Sequence, residues 1–315
     1  MSWQEQLQAL SDPELADLCG YLYGFERVQD ADREQLENQL LHGKKRSVFY
    51  LMDKDAYKTI KRLIRHPDRP LSYCYYPVEQ LLDLGIIAEM PALDSDENYG
   101  WYTICEEAMD FAVKVSRARH YDKLIMMMQK MDELLLGLFH TYGLLELHQC
   151  AEMLEEYGIA MEPQRLFAAI TWRFTLRDDL HGFQIRQHGE AISFIMLRGL
   201  DFISTYQGIR CYPQYYYDEI SEAKLRKRCD RYFARQLPEV KALASYLQAV
   251  FSRKLIRSII CELIDTYQYH ERDFSYTTMI QRVFDPAESA AKLAAAIAAL
   301  PDIYRKGHCQ KDENE

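Results

Sequence analysis

Residues 138–158 read LFHTYGLLELHQCAEMLEEYG, and this stretch specifies the architecture of the 315-residue chain. An apolar stripe over 122–142 predicts a long helix that ends at Gly143, because glycine readily adopts the left-handed conformation that terminates helices. The next segment, 147–157, predicts a short amphipathic helix that ends at Gly158.

The residues that follow predict a third helix and a hairpin. Pro163 fits the first turn of a helix that runs through Phe174. GFQIRQHG and EAISFI then alternate as two strands that turn at His188-Gly189. This order of elements predicts a winged helix-turn-helix, a fold used both to bind DNA and to dock proteins.

An earlier segment repeats the pattern. A helix opens at Asp53 and stops at His66-Pro67, and a second short helix over 76–84 is followed by Gly85. GIIAEMP and YGWYTIC then predict two strands around the polar loop ALDSDEN, and a helix over 106–119 closes the unit.

The predicted fold class is mainly α with small β-hairpin wings. We predict four modules: a helical module over 1–46, winged-helix-like units over 47–119 and 120–210, and a helical region over 211–315. Ser11 and Asp30 or Asp32 are predicted to cap helices of the first module. The last region is predicted to contain helices over 221–235, 240–269, 276–284 and 286–300, the last capped by Asp285.

Composition narrows the class of protein. The net charge is −10, which disfavours general attraction to nucleic acid. The eight cysteines are scattered without a C-x-x-C pair, and we expect them to be mostly small buried hydrophobes. No segment has the length of an apolar membrane span and no secretory signal is evident, so we expect a cytoplasmic chain without membrane contact.

Charge is distributed unevenly. Residues 1–40 carry nine acidic side chains against Arg27 and Arg33, whereas 224–235 carry six bases against Asp230. If 221–235 is one helix, four of these bases share a face: Lys224, Arg228, Arg231 and Arg235. That face is a candidate phosphate-binding surface, and the default alternative is a solvated or internally paired surface.

A DNA-reading role would place the third helix of the second winged unit in the major groove. Arg165 and Arg173 lie on that helix, Arg177 lies just beyond it, and Arg186 and His188 on the wing would contact phosphates. The alternative is that these are surface charges on a fold that docks proteins.

The chain resembles a diffuse group of uncharacterised bacterial proteins, common in Firmicutes. LSDPELADLCGYLYGFERVQDADREQLENQLL is similar to their first module, which looks like the N-terminal module of terminator Rho or a SAP domain. LMDKDAYKTIKRLI, LLDLGIIAEM and LFHTYGLLELHQCAEMLEEYGI resemble their winged-helix-like stretches. Many of these proteins end in a SEC-C zinc tail, of which only His308 and Cys309 have counterparts here, so the zinc site is not carried over.

Metal and catalytic patterns are weak. Asp94, Asp96 and Asn98 match the start of a calcium loop, but the glycine and glutamate that follow fall one residue late. His140, His148 and Cys150 do not have a recognised zinc spacing. We expect no metal and no cofactor, and no motif marks a catalytic site.

These observations favour a non-enzymatic regulatory or adaptor protein. Its expected partner is a protein or a second copy of the chain, with nucleic acid as another candidate ligand. The rival is a purely protein-binding scaffold with structural winged helices, and an unrecognised enzyme is the third hypothesis.

Overall fold

A computed structural model describes most of the chain. The described residues are 3–23, 28, 31–42, 52–67, 69, 71–72, 75–90, 101–117, 119–175, 179–187, 190–213, 216–217, 219–271 and 273–309. They are mainly helical with two small three-stranded sheets, which confirms the predicted fold class. Within these ranges no helix combines the length and apolar character that a bilayer span requires.

The chain forms two compact units. The first unit contains residues 1–130 and 161–178, and the second contains residues 131–160 and 179–315. This grouping divides one of the four predicted modules, the winged-helix-like unit over 120–210, because residues 120–130 and the helix that follows Pro163 belong to the first unit.

The first unit is built from eight described helices, including the beginning of one that continues into the second unit, and a three-stranded sheet. Its helices are α1 (Trp3–Ala9), α2 (Asp12–Tyr23), α3 (Arg33–His42), α4 (Lys54–Arg65), α5 (Tyr75–Asp83), α6 (Glu106–Arg117), the start of α7 (Arg119–Tyr142) and, returning later, α9 (Pro163–Thr175). Its strands are β1 (Leu71–Ser72), β2 (Ile87–Glu89) and β3 (Trp101–Ile104).

Local signals set the helix ends of this unit. The Ser11 amide donates to Glu14 Oε2 at 2.7 Å, and Asp53 Oδ1 accepts from the Ala56 amide at 2.7 Å. Gly85 has φ 63°, and the Ile86 amide donates to the Leu81 carbonyl at 2.9 Å, which closes α5 as a Schellman motif.

One apolar cluster joins the N-terminal helices to the rest of the first unit. It includes Leu15 and Leu36 from the predicted first module together with Ile60, Leu81 and Ile104. The N-terminal helices therefore share a core with the segment that follows them.

The first sheet places β3 between β1 and β2, with both pairings antiparallel. The two strands around ALDSDEN are confirmed, although the loop itself lies outside the described residues, and β1 was not predicted. Residues 84–86 connect α5 directly to β2, so no third helix precedes this hairpin.

The second unit starts within α7 and contains a second three-stranded sheet. Its further helices are α8 (Leu147–Glu156), α10 (Phe202–Arg210), α11 (Glu222–Lys227), α12 (Pro238–Leu247), α13 (Arg253–Tyr267), α14 (Thr277–Val283) and α15 (Pro286–Ala299). Its strands are β4 (Leu144–Glu146), β5 (Leu180–Gln187) and β6 (Glu190–Leu197), with β6 in the centre and all pairings antiparallel.

The predicted breaks around α8 are confirmed. Gly143 and Gly158 have φ of 73° and 79°. The Ile159 amide donates to the Leu154 carbonyl at 2.9 Å, which again forms a Schellman motif. The predicted turn at His188-Gly189 lies outside the described residues, and neither β4 nor α10 was predicted.

Two helix predictions in the C-terminal region are wrong. The predicted helix over 240–269 is divided into α12 and α13, because Ser252 caps a new helix by accepting from the Leu255 amide at 3.4 Å. The predicted helix over 221–235 ends at Lys227, and a 3₁₀ turn follows at Phe233–Gln236. The predicted cap at Asp285 is confirmed by its 2.8 Å bond from the Glu288 amide.

Candidate binding surfaces

Arg173 is not a surface residue, which corrects its prediction as a DNA contact. Its side chain is 1% exposed, and Nη1 donates to the Met52 carbonyl at 2.6 Å. The helix that carries it, α9, contacts α2 and buries Leu166 and Ile170. Arg173 therefore connects α9 to Met52 inside the first unit and is shielded from phosphate.

The other arginines predicted for this surface have different positions. Arg165 is exposed, and its Nε lies 3.9 Å from the equally exposed Glu162. Arg186 is exposed on β5. Arg177 and His188 lie outside the described residues.

The predicted cationic face over 224–235 does not form, because α11 ends before Arg228. The Arg228 side chain is buried, its Nη1 donates to Thr141 Oγ1 at 3.2 Å, and its guanidinium lies 5.1 Å from the Phe233 ring centroid. These tertiary contacts bury the Arg228 side chain.

Neighbouring arginines of this segment are ion-paired within the second unit. Arg231 bonds to Glu271 and lies 3.4 Å from Asp265, and Arg235 lies 2.7 Å from Asp230. Lys224 is exposed. The default hypothesis of internal pairing therefore describes most of this basic segment.

His140 lies in the same buried polar cluster. Its Nδ1 donates to the Arg228 carbonyl at 2.8 Å, and its own carbonyl accepts from Gln268 Nε2 at 2.8 Å. Burial lowers the pKa of His140 from 6.5 to about 4. His148 is exposed and Cys150 is buried, and among the described residues no group of three potential ligands could hold a metal ion.

The pH dependence of stability follows from His140. Below pH 6.5 the unfolded state binds a proton that the native state refuses until about pH 4, so stability is full above this window and is lost as pH falls through it. We expect the second unit to be about 2 kcal/mol less stable at pH 5 than at pH 7. Hydrogen exchange of the α7 and α13 amides, measured as a function of denaturant concentration at the two pH values, gives this difference in stability.

The matched variants are His140→Gln and His148→Gln. The first should remove most of the loss between pH 7 and pH 5, whereas the second, at an exposed site, should retain it. An unchanged pH dependence in His140→Gln would mean that other groups cause the loss.

A cationic groove between α4 and the first turns of α7 was missed by the sequence analysis. It has a volume of about 430 Å³, and five bases of α4 line it: Lys54, Lys58, Lys61, Arg62 and Arg65. At 100° per residue these positions fall within about 100° of the helix circumference. The spacing in KDAYKTIKRLIR could have revealed this face, but only the apolar stripe of the helix was used.

Several of these bases are available to a ligand. Lys58 pairs with Asp55 at 2.8 Å and Lys61 pairs with Asp122 at 2.9 Å. Lys54, Arg62 and Arg65 are exposed, and no carboxylate among the described residues pairs with them. The groove wall therefore presents uncompensated positive charge on a chain of net charge −10.

A hydrogen-bonded cluster fixes one side of the groove. Asp122 Oδ1 accepts from Lys61 Nζ and Tyr57 Oη, each at 2.9 Å. The bond from Lys61, followed by that from Tyr57, lowers the pKa of Asp122. Burial, reinforced by Asp122, raises the pKa of Tyr57, so the phenol stays protonated and the carboxylate stays charged.

The α7 side of the groove includes apolar residues. Ile125 is buried there, and Met126 is 69% exposed. The neighbouring Met127 is 40% exposed but does not line the groove. The surface therefore combines a basic wall with an adaptable apolar contact.

A smaller hollow of about 220 Å³ lies in the second unit. Val240, Ala244 and Ile256 line it together with Arg253 and Arg257. Its volume is about half that of the groove on α4.

No family model, curated protein or solved structure matches the chain.

Proposed function

We propose that the chain is a cytoplasmic, non-enzymatic adaptor or regulatory protein that recognises a partner protein through its winged-helix-like units. The order of elements along the chain, α7, β4, α8, α9, β5, β6, with β6 between the other two strands, is that of a winged helix and supports this proposal, although α9 groups with the first unit. Residues 54–104 have the same order without the third helix: α4, β1, α5, β2, β3. The proposal also includes the relationship suggested by the resemblance to bacterial proteins with a Rho N-terminal-like module.

The proposal rests on which basic side chains are exposed and which are buried or ion-paired. Arg173 and Arg228 are buried and Arg231 is ion-paired, so they have little capacity to displace counterions from nucleic acid. The available bases instead line one side of a groove whose other side includes the apolar Ile125 and Met126, a combination that suits a protein surface.

Recognition of nucleic acid is the second candidate. The exposed positions of Arg165 and Arg186 favour it, because these two predicted contacts remain accessible. This function would require α9 or the wing to reach DNA despite the buried side chains of α9.

Fluorescence anisotropy with mixed-sequence duplex DNA and single-stranded RNA, across a salt series, separates the two functions. We expect binding no tighter than the roughly 10⁻⁶ to 10⁻⁴ M of non-specific association, and no change in Arg165→Ala or Arg186→Ala. Submicromolar binding that either substitution abolishes would replace the adaptor by a nucleic-acid reader.

A further inference from the structure

The groove between α4 and α7 is selective by charge. Three of its bases, Lys54, Arg62 and Arg65, pair with no carboxylate among the described residues, although acids outnumber bases in the chain. Such a wall attracts an acidic ligand and repels a basic one.

The same groove offers an apolar contact. Met126 is the most exposed large apolar side chain of the described first unit and lies beside buried Ile125. An unbranched methionine adapts to different apolar partners, and apolar grooves between helices commonly accept the apolar face of another helix.

The length of the groove along α4 suits a short helix. Lys54 and Arg65 are eleven residues apart on α4, which corresponds to about 16 Å along the axis. A partner helix of three turns would extend over this length with acidic residues against the basic wall.

The groove is poorly built for nucleic acid. Single-stranded nucleic acid binds on exposed aromatic rings, but Tyr57, the aromatic residue among those that line the groove, is 4% exposed and bonded to Asp122.

We infer that the groove between α4 and α7 binds an amphipathic helix of a partner protein, with acidic side chains toward α4 and an apolar side chain on Met126. This inference rests on the proposed adaptor function and specifies the partner that the function requires.

The test uses the full chain and a fluorescein-labelled synthetic helix of about 15 residues, with leucines spaced i, i+3, i+4, i+7 and glutamates elsewhere. A scrambled peptide of equal composition and a single-stranded DNA of similar length are the comparison probes. We expect the amphipathic peptide to bind more tightly than both, with an affinity that falls as salt increases.

Two methionine variants form the matched pair. Met126→Ser should weaken peptide binding about fivefold, because it removes the apolar contact. Met127→Ser, which changes the next residue along the chain and lies outside the groove, should leave peptide binding unchanged. In the ¹³C-methyl methionine spectrum, the Met126 signal should shift on peptide addition and that of buried Met128 should not.

Three other results would each contradict the inference. Equal binding of the scrambled peptide, or equal effects of the two methionine variants, would leave only unspecific charge attraction. Absence of peptide binding together with absence of DNA binding would reject this ligand and leave the adaptor function standing. DNA that binds more tightly than the peptide and competes with it would reject both.

Discussion

Replacing Arg173 by alanine is expected to destabilise the first unit by about 3–5 kcal/mol. The substitution removes one of the largest fully buried side chains and leaves the Met52 carbonyl, which accepts from Arg173 at 2.6 Å, without this donor. Guanidinium unfolding followed by tryptophan fluorescence measures the effect, because Trp3, Trp101 and Trp172 all belong to the first unit.

Arg165→Ala is the matched control on the same helix. Arg165 is exposed, so its removal should change stability by less than about 0.5 kcal/mol. Equal stability of the two variants would place Arg173 in solvent and restore it as a candidate DNA contact.

Gly137→Ala is expected to destabilise the second unit by about 3 kcal/mol. A Cβ atom at this position would lie 2.3 Å from the Leu225 carbonyl oxygen, so α7 and α11 would have to move apart. The gain of about 1 kcal/mol in helix propensity is smaller than this steric cost. Thermal unfolding followed by circular dichroism measures the change.

Gly158→Ala provides the comparison for this variant. No atom lies within 4 Å of the added Cβ, but φ is +79°, so a cost of about 1 kcal/mol is expected from backbone strain alone. A Gly137→Ala protein as stable as the wild type would show that α7 and α11 do not approach this closely.

Helix ends were predictable because their causes are local. Asp53 and Asp285 each accept an amide bond from three residues ahead, and Gly85 and Gly158 each adopt positive φ after a helix. These features depend on side-chain chemistry and glycine conformational freedom, which the sequence displays directly.

The basic segment after Ser221 was mispredicted because its structure depends on distant partners. Arg228 bonds to Thr141 and Arg231 to Glu271, both far away in the sequence. Charge periodicity assumes a continuous helix and cannot reveal such contacts. In the same way, nothing local in α9 distinguishes buried Arg173 from exposed Arg165.

Only one side of the groove could be predicted from the sequence. The cationic face of α4 is encoded in the spacing of its five bases, which agrees with the helix that forms. The lining residues of its other side, which include Asp122 and Met126, come from α7, and only the tertiary fold brings them to α4.

The most direct measurement compares two charge-matched variants in their affinity for the acidic amphipathic peptide at constant ionic strength. Lys54→Glu/Arg62→Glu reverses two bases of the groove, and Lys224→Glu/Lys227→Glu reverses two exposed bases of α11, so both change the net charge equally. If the groove is the recognition surface, the first variant loses at least about tenfold in affinity and the second retains wild-type binding. Equal losses in both variants would mean that overall charge attracts the peptide and that the groove is not a specific site.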